Sequence, residues 1–410
     1  MDAQTQWTGL DGQRLTRIAD HVNRHYIEPG KIAGCQVLVA RNGHVAYQKS
    51  FGLRDRERGT RWGDDTIVRL YSMTKPVTSV ALMMLYERGL FQLNDPVSRY
   101  IPSWKDHQVW VSGSGKAMVT EPPKRPVSFR DMLCHTGGIG YGSILNAITG
   151  IPADHPVDAA YDKEGVNRNE DLASFVDKLG KVPLRYQPGE RWMYSLSTDV
   201  CGRLVEILSG KRLDRFFAEE ILGPLEMNET AFHVAPKNAD RFAACYKRAP
   251  DKSLALEDDP TTSRFLKEPS FFAGGSGLTG PIADYHRFCE MLRRGGELDG
   301  VRLISPRTLD LMRMNHLPGG GDLASLAIGG FSESAYEGVG FGLGFASSLD
   351  QTVTQCLGIG DYYWGGAAST IFWVDPIEDM TVVFLTQLIP SATFNFRGQL
   401  KSIVYGSIVD

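Results

Sequence analysis

Ser72 and Lys75 stand three residues apart in Leu70-Tyr71-Ser72-Met73-Thr74-Lys75-Pro76, and this serine–lysine spacing occurs once in the chain. On a helix, that spacing puts both side chains on one face. A serine hydroxyl is a poor nucleophile at neutral pH and needs a neighbouring base to take its proton. A lysine amine can help when burial or a second cation lowers its pKa. Pro76 has no N–H and is tolerated near a helix start, which sets Ser72 at the N-terminus. Free N–H groups and the macrodipole there favour negative charge, as an alkoxide or oxyanion requires. Taken alone, the pair also fits a capping serine followed by a solvated lysine.

The elements that must position this pair are legible in the hydrophobic spacing. From Ser72 to about Arg88, Val77, Val80, Ala81, Met84 and Leu85 form a helical apolar stripe, with Lys75 near its buried side. Upstream, residues 12–28 read as a helix, and 35–41 and 44–50 as strands of a hairpin turned by Asn42-Gly43. Residues 67–70 read as a short strand delivering the chain to Ser72. From 93 to 271 helical stripes dominate, at 127–133, 171–179, 198–208 and 213–221, with polar loops at 113–125 and 161–169. Strands return at 341–348, 353–359, 370–374 and 380–387, and 396–408 closes as a helix. The expected fold class is α/β of the α+β type. Residues 1–92 and 272–410 would form one domain around a central antiparallel sheet flanked by helices. Residues 93–271 would form an inserted, mostly helical domain, with the active site between the two.

Composition narrows the functions. The 410 residues are 42% hydrophobic and 22% charged, ordinary values for a globular protein with ample cores. A net charge of −4 without a long basic run disfavours nucleic acid as a partner. The polar N-terminus has no signal-peptide core, and no run of apolar residues is long enough to span a membrane. The six cysteines are scattered without a C-x-x-C pair and read as buried thiols of a reducing compartment, so a cytoplasmic location is expected.

Other motifs are weaker. Gly275, Gly277 and Gly280 match a dinucleotide-binding glycine pattern, but Lys-Glu-Pro-Ser-Phe-Phe before them is not the strand such a site needs. A glycine turn feeding a helix at Pro281 is the better reading. His135, in His-Thr-Gly-Gly, could suggest a Ser-His triad, yet no G-x-S-x-G elbow exists. The nine histidines show no ligand spacing, so neither a metal nor another cofactor is expected.

Two further islands accompany Ser72 and Lys75. Tyr194-Ser195-Leu196 precedes a helix and follows the turn Tyr186-Gln187-Pro188-Gly189-Glu190; Trp364-Gly365-Gly366-Ala367 lies ahead of the strand near Thr370. In this order the three islands resemble the serine β-lactamase and penicillin-binding-protein superfamily, and most nearly the family VIII carboxylesterases. The resemblance implies the β-lactamase/transpeptidase-like fold and a residue-by-residue set of roles. Ser72 would be the nucleophile forming an acyl-enzyme. Lys75 would hydrogen-bond it and share in proton transfer. Tyr194 would act as general base. The backbone N–H groups of Ser72 and Ala367 would form the oxyanion hole, and Trp364, Gly365 and Gly366 would line the substrate site.

Two departures bear on substrate. Leu196 stands where class C β-lactamases have asparagine, and Trp364 where they have a lysine that meets the β-lactam carboxylate. Tryptophan offers a ring face and one N–H, which favours neutral, partly apolar esters. The expected function is a serine carboxylesterase acting on small to medium acyl esters, its partner being a small-molecule ester. The alternatives are an acyltransferase using the same acyl-enzyme, a weak β-lactamase, and a catalytically silent binding protein on this fold.

Overall fold

Asn42 and Gly43 both take positive φ (56° and 77°), and the chain reverses there from β1 (Gly34–Arg41) into β2 (His44–Asp55). Positive φ at both central residues gives the turn a twist that matches paired strands. The computed structural model describes residues 3–144, 153–328 and 336–410. A short β3 (Thr60–Arg61) follows, and the C-terminal part adds β4 (Val339–Phe341), β5 (Ala346–Ser348), β6 (Tyr362–Gly365), β7 (Ile371–Asp375) and β8 (Met380–Thr386). These eight strands form one sheet in the order β4-β5-β6-β7-β8-β1-β2-β3. Every pairing in it is antiparallel, and the join between the two ends of the chain is β1 against β8, running from Cys35 opposite Thr386 to Arg41 opposite Met380.

β1, β7 and β8 are buried along their whole length, which explains their near-continuous apolar runs. Helices cover both faces. The ring of Phe372 on β7 packs at 5.2 Å from Tyr285 of α3 (Ile282–Arg293), and Phe384 on β8 packs at 4.9 Å from Phe396 of α4 (Phe396–Tyr405). Between the sheet's two chain segments lie α1 (Thr74–Glu87), preceded by a 3-10 turn at Tyr71–Met73, and α2 (Ser197–Ser209). α1 is buried on all sides from Thr74 to Leu85, more than the one-sided stripe implied. One continuous apolar cluster runs from Leu10 to Val404 and includes residues of the 93–271 segment such as Phe129, Leu204 and Phe216.

The structure departs from the sequence expectations in four places. Residues 353–359 are not a strand: Asp350 caps a short helix, Gln351–Thr354, by accepting from the backbone N–H groups of Thr352 and Val353. A local cap outcompeted the alternation of apolar residues. The 113–125 stretch is not all loop, since Val119–Glu121 pairs with Val109–Ser112. Asp158–Lys163 is helical at the start of the expected 161–169 loop. The single strand expected at 341–348 is two strands, β4 and β5, turned at Gly344 with φ of 105°.

Candidate active site

Tyr71 takes a φ of 44°, rare for a bulky residue, immediately before Ser72. The strain is held by the surroundings. Val68–Arg69 pairs with Thr279–Gly280, the ring of Tyr71 packs edge-on against Phe265 at 6.1 Å, and Tyr285 of α3 donates its hydroxyl to the carbonyl of Met73 at 2.9 Å. Ser72 is thereby fixed at the mouth of α1 with about a tenth of its surface exposed (9%).

Lys75, one turn on, is 2% exposed. Its Nζ lies 3.2 Å from Ser72 Oγ, 3.2 Å from the Tyr141 hydroxyl and 2.8 Å from the Gly275 carbonyl oxygen, with the Tyr194 ring centroid at 4.5 Å. Burial brings its pKa down to about 7; Asp199 opposes that fall and Arg168 adds to it. Asp199 is itself buried, receives the Gly275 N–H at 3.0 Å and pairs with Arg168 at 3.2 Å. A lysine amine in this setting is available as a neutral base near pH 7. It can donate to Gly275 and Tyr141 while its lone pair faces the Ser72 hydroxyl.

Tyr194 and Trp364 meet across the sheet–helix boundary. Tyr194 sits just before α2, 5% exposed, and Trp364 on β6 donates its Nε1–H to the Tyr194 hydroxyl at 3.2 Å. The motif lies ahead of β7, as expected, and its first two residues, Trp364 and Gly365, end β6 opposite Phe372 and Ile371. Gly366 follows in a tight turn closed by its N–H on the Thr370 carbonyl at 2.7 Å. A Cβ there would fall 2.4 Å from the carbonyl oxygen of Leu70, so only glycine lets this turn approach the strand leading to Ser72. Ala367 comes next and is nearly buried. Ser72, Lys75, Tyr194, Trp364, Gly365, Gly366 and Ala367 are thus brought into one region from three distant segments of the chain.

Leu196 is fully buried and presents no polar group. His135 takes a positive φ of 59° and lies behind Tyr194, its ring centroid 5.1 Å away. Its Nδ1 is 2.9 Å from Ser195 Oγ, so the serine it meets is Ser195 rather than Ser72. Burial, with the charge of Lys75 adding to it, drives its pKa well below the usual histidine value. The glycine pattern at 275–280 serves the lysine instead of a nucleotide: its backbone brackets Lys75, and a Cβ on Gly275 would meet Asp199 Oδ2 at 3.2 Å and Lys75 Nζ at 3.4 Å.

Sequence reasoning missed the part played by Tyr141, Arg168, Asp199 and Gly275. None lies in a spacing pattern with Ser72, and the glycine pair Gly274-Gly275 was the one visible signal. Among the described residues, no group of three or more His, Cys, Asp or Glu is placed to hold a metal ion, and no helix is long and apolar enough to cross a membrane.

The family model described as Beta-lactamase matches residues 19–400. The chain belongs to the beta-lactamase family. It is 31% identical over 371 residues to Protein Rv1367c of Mycobacterium tuberculosis, covering 90% of this chain and 88% of that one. It is 27% identical over 400 residues to Esterase EstB of Burkholderia gladioli, covering 92% and 91%. Among solved structures, "EstCE1, a hydrolase with promiscuous acyltransferase activity" superposes with a TM-score of 0.78 at 26% identity, covering 96% of this chain and 99% of that one. The eight-stranded antiparallel sheet with its flanking helices is the β-lactamase/transpeptidase-like fold.

Proposed function

We propose that the protein is a serine carboxylesterase that cleaves small to medium acyl esters through an acyl-enzyme on Ser72. The observation that carries this reading is the buried contact of Lys75 Nζ with Ser72 Oγ at 3.2 Å. The likeness to an esterase and to a hydrolase of the same fold supports it.

In this reading Lys75, neutral above about pH 7, takes the Ser72 proton as Oγ attacks the ester carbonyl carbon. The developing oxyanion is met by the backbone N–H groups of Ser72 and Ala367, each donor worth roughly 3–4 kcal/mol of barrier. As the C–O bond breaks, the leaving alcohol receives a proton through Tyr194, which the nearby Lys75 ammonium recharges. Water then attacks the acyl-enzyme, giving its proton to the same pair, and the acid departs with Ser72 restored. Trp364, Gly365 and Gly366 form the wall beside the leaving group. The Trp364 N–H steadies the Tyr194 oxygen as its charge changes. No lysine stands at position 364 to meet a β-lactam carboxylate, which supports esters over β-lactams as substrates. The division into a sheet domain (1–92 and 272–410) and an inserted helical domain (93–271) belongs to the same proposal.

A second reading, transfer of the acyl group to an added alcohol, uses the same intermediate, and the promiscuous acyltransferase activity of EstCE1 favours keeping it. The test is hydrolysis of p-nitrophenyl acetate and butyrate by wild type and Ser72→Ala, beside a chromogenic cephalosporin. Ester turnover that Ser72→Ala abolishes, with a slow cephalosporin, is expected. Wild-type ester activity in Ser72→Ala would overturn the assignment. Adding methanol and analysing products separates transfer from hydrolysis.

A further inference from the structure

Besides Ser72, the Lys75 amine donates to the Gly275 carbonyl and to the Tyr141 hydroxyl. The carbonyl accepts a hydrogen bond and has no proton to pass on, whereas a phenol both accepts and donates. Because Lys75 Nζ donates to the Tyr141 oxygen at 3.2 Å, the phenol can turn its own hydrogen to another acceptor. That acceptor is Tyr194. The two rings lie 5.6 Å apart at 47°, and a side-chain hydrogen bond between them opposes the rise that burial imposes on the Tyr141 pKa. Lys75 itself meets Tyr194 over the ring face, 4.5 Å from the centroid, while a phenol oxygen lies in the plane of its ring.

The loop that carries Tyr141 is tied down on both sides of it. The Gly140 N–H donates to the Tyr161 hydroxyl at 2.8 Å, and the Gly140 carbonyl accepts from the Leu196 N–H at 3.3 Å, just before α2. Gly142 takes a φ of 54°, and a Cβ there would fall 2.4 Å from the Tyr161 ring. Tyr141 is buried, so its hydroxyl keeps one set of partners. A hydroxyl held this way is already aligned before substrate arrives.

We propose that Tyr141 is a proton relay between Lys75 and Tyr194. The inference rests on the esterase reading and adds the residue that joins its two proton-transfer groups. In acylation, Tyr194 gives its hydroxyl proton to the departing alkoxide as the ester C–O bond breaks. The Tyr194 oxygen takes the Tyr141 proton, and the Tyr141 oxygen takes one from the Lys75 ammonium, which returns to the neutral amine. At each phenol one O–H bond forms as another breaks, so Tyr141 carries no net charge at any stage. That suits a phenol whose burial disfavours the phenolate. With the Trp364 N–H, the Tyr141 hydroxyl gives the Tyr194 oxygen two donors while its charge is transient. In deacylation the same hops run in reverse, from the attacking water to Lys75.

The experiment uses the leaving group as the probe. p-Nitrophenolate departs without a proton and ethoxide needs one, and kcat/KM covers the steps up to loss of the alcohol. It is measured for ethyl butyrate and p-nitrophenyl butyrate in wild type, Tyr141→Phe, Tyr194→Phe and the double variant. In Tyr141→Phe the ethyl ester is expected to lose about a hundredfold and the p-nitrophenyl ester far less. A packing defect would lower both alike. Tyr194→Phe shows the same selective loss, and the double variant is no slower on the ethyl ester than Tyr194→Phe alone, because two steps of one relay do not add. Equal losses on both esters in Tyr141→Phe, an unchanged ethyl ester rate, or additive losses in the double variant overturn the relay. Any of these beside a selective loss in Tyr194→Phe leaves the esterase reading standing. Wild type without Ser72-dependent hydrolysis of either ester removes that reading, and the relay with it.

Discussion

Replacing Asp199 with asparagine tests the electrostatics of the proposed base directly. The asparagine amide keeps an oxygen for the Gly275 N–H and removes a buried charge that faces Lys75. The Gly275 position lies between the two groups, 3.2 Å from Asp199 Oδ2 and 3.4 Å from Lys75 Nζ as measured from its ideal Cβ. A charge separation of about 6 Å at an effective dielectric of about 20 gives about 2–3 kcal/mol of attraction for the ammonium. Losing it lowers the lysine pKa by roughly two units. The other groups facing Lys75 are Arg168, which adds to the fall, and Tyr141, Tyr194 and His135. If neutral Lys75 takes the Ser72 proton, kcat/KM rises with pH through the lysine titration, near pH 7 in wild type. The assay is the pH profile of kcat/KM for p-nitrophenyl butyrate. In Asp199→Asn the rising limb moves to lower pH by about one to two units, with the plateau reduced by any loss of alignment. In Asp199→Asn/Arg168→Met both charges are gone and the limb returns toward its wild-type position. A limb that stays in place, or moves to higher pH, refutes the assignment of Lys75 as the titrating base. Thermal unfolding of each variant guards against misfolding, because an unpaired Arg168 costs several kcal/mol.

Trp364→Phe keeps the ring and removes the N–H that reaches Tyr194, so kcat/KM should fall by about tenfold while the melting temperature stays nearly unchanged; an unchanged rate would exclude that hydrogen bond from the reaction. Lys75→Met should stabilise the fold most below pH 7. The lysine pKa is about 7 in the native state against an ordinary 10.5 in the unfolded chain, so its charge opposes folding fully below pH 7. The penalty then fades as pH rises toward the unfolded value. Denaturant melts at about pH 6 and about pH 9 should show the variant's advantage shrinking, and a constant gap would contradict the burial argument. Gly275→Ala crowds Lys75 and Asp199 with a Cβ, and should lower kcat more than it lowers stability, by about tenfold against about 1 kcal/mol; equal losses would point to a packing role alone.

Local patterns made much of the fold legible. The hairpin at Asn42-Gly43 and the helix entered through Ser72 each depend on residues adjacent in sequence, where turn chemistry and helical spacing act directly. The islands around Ser72, Tyr194 and Trp364 were visible for the same reason: each is a short run at an element boundary. The expectation failed at 353–359, where apolar alternation suggested a strand and an aspartate cap decided for a helical turn. The preceding strand, β6, went unexpected because its four residues are too few to show a period.

The amino-acid sequence by itself determined the serine–lysine pair, the element that carries it and the antiparallel sheet class, because these follow from spacing within a few turns. Only the tertiary structure decided the environment that makes the pair reactive. The Gly275 carbonyl lies 200 residues from Lys75 and Tyr141 lies 66 away. Asp199 and Arg168 reach Lys75 through the same fold. Burial of an amine, and the charges it faces once buried, are properties of packing between distant segments. No local pattern records them, and they set whether Lys75 is an ammonium on a surface or a base beside a serine.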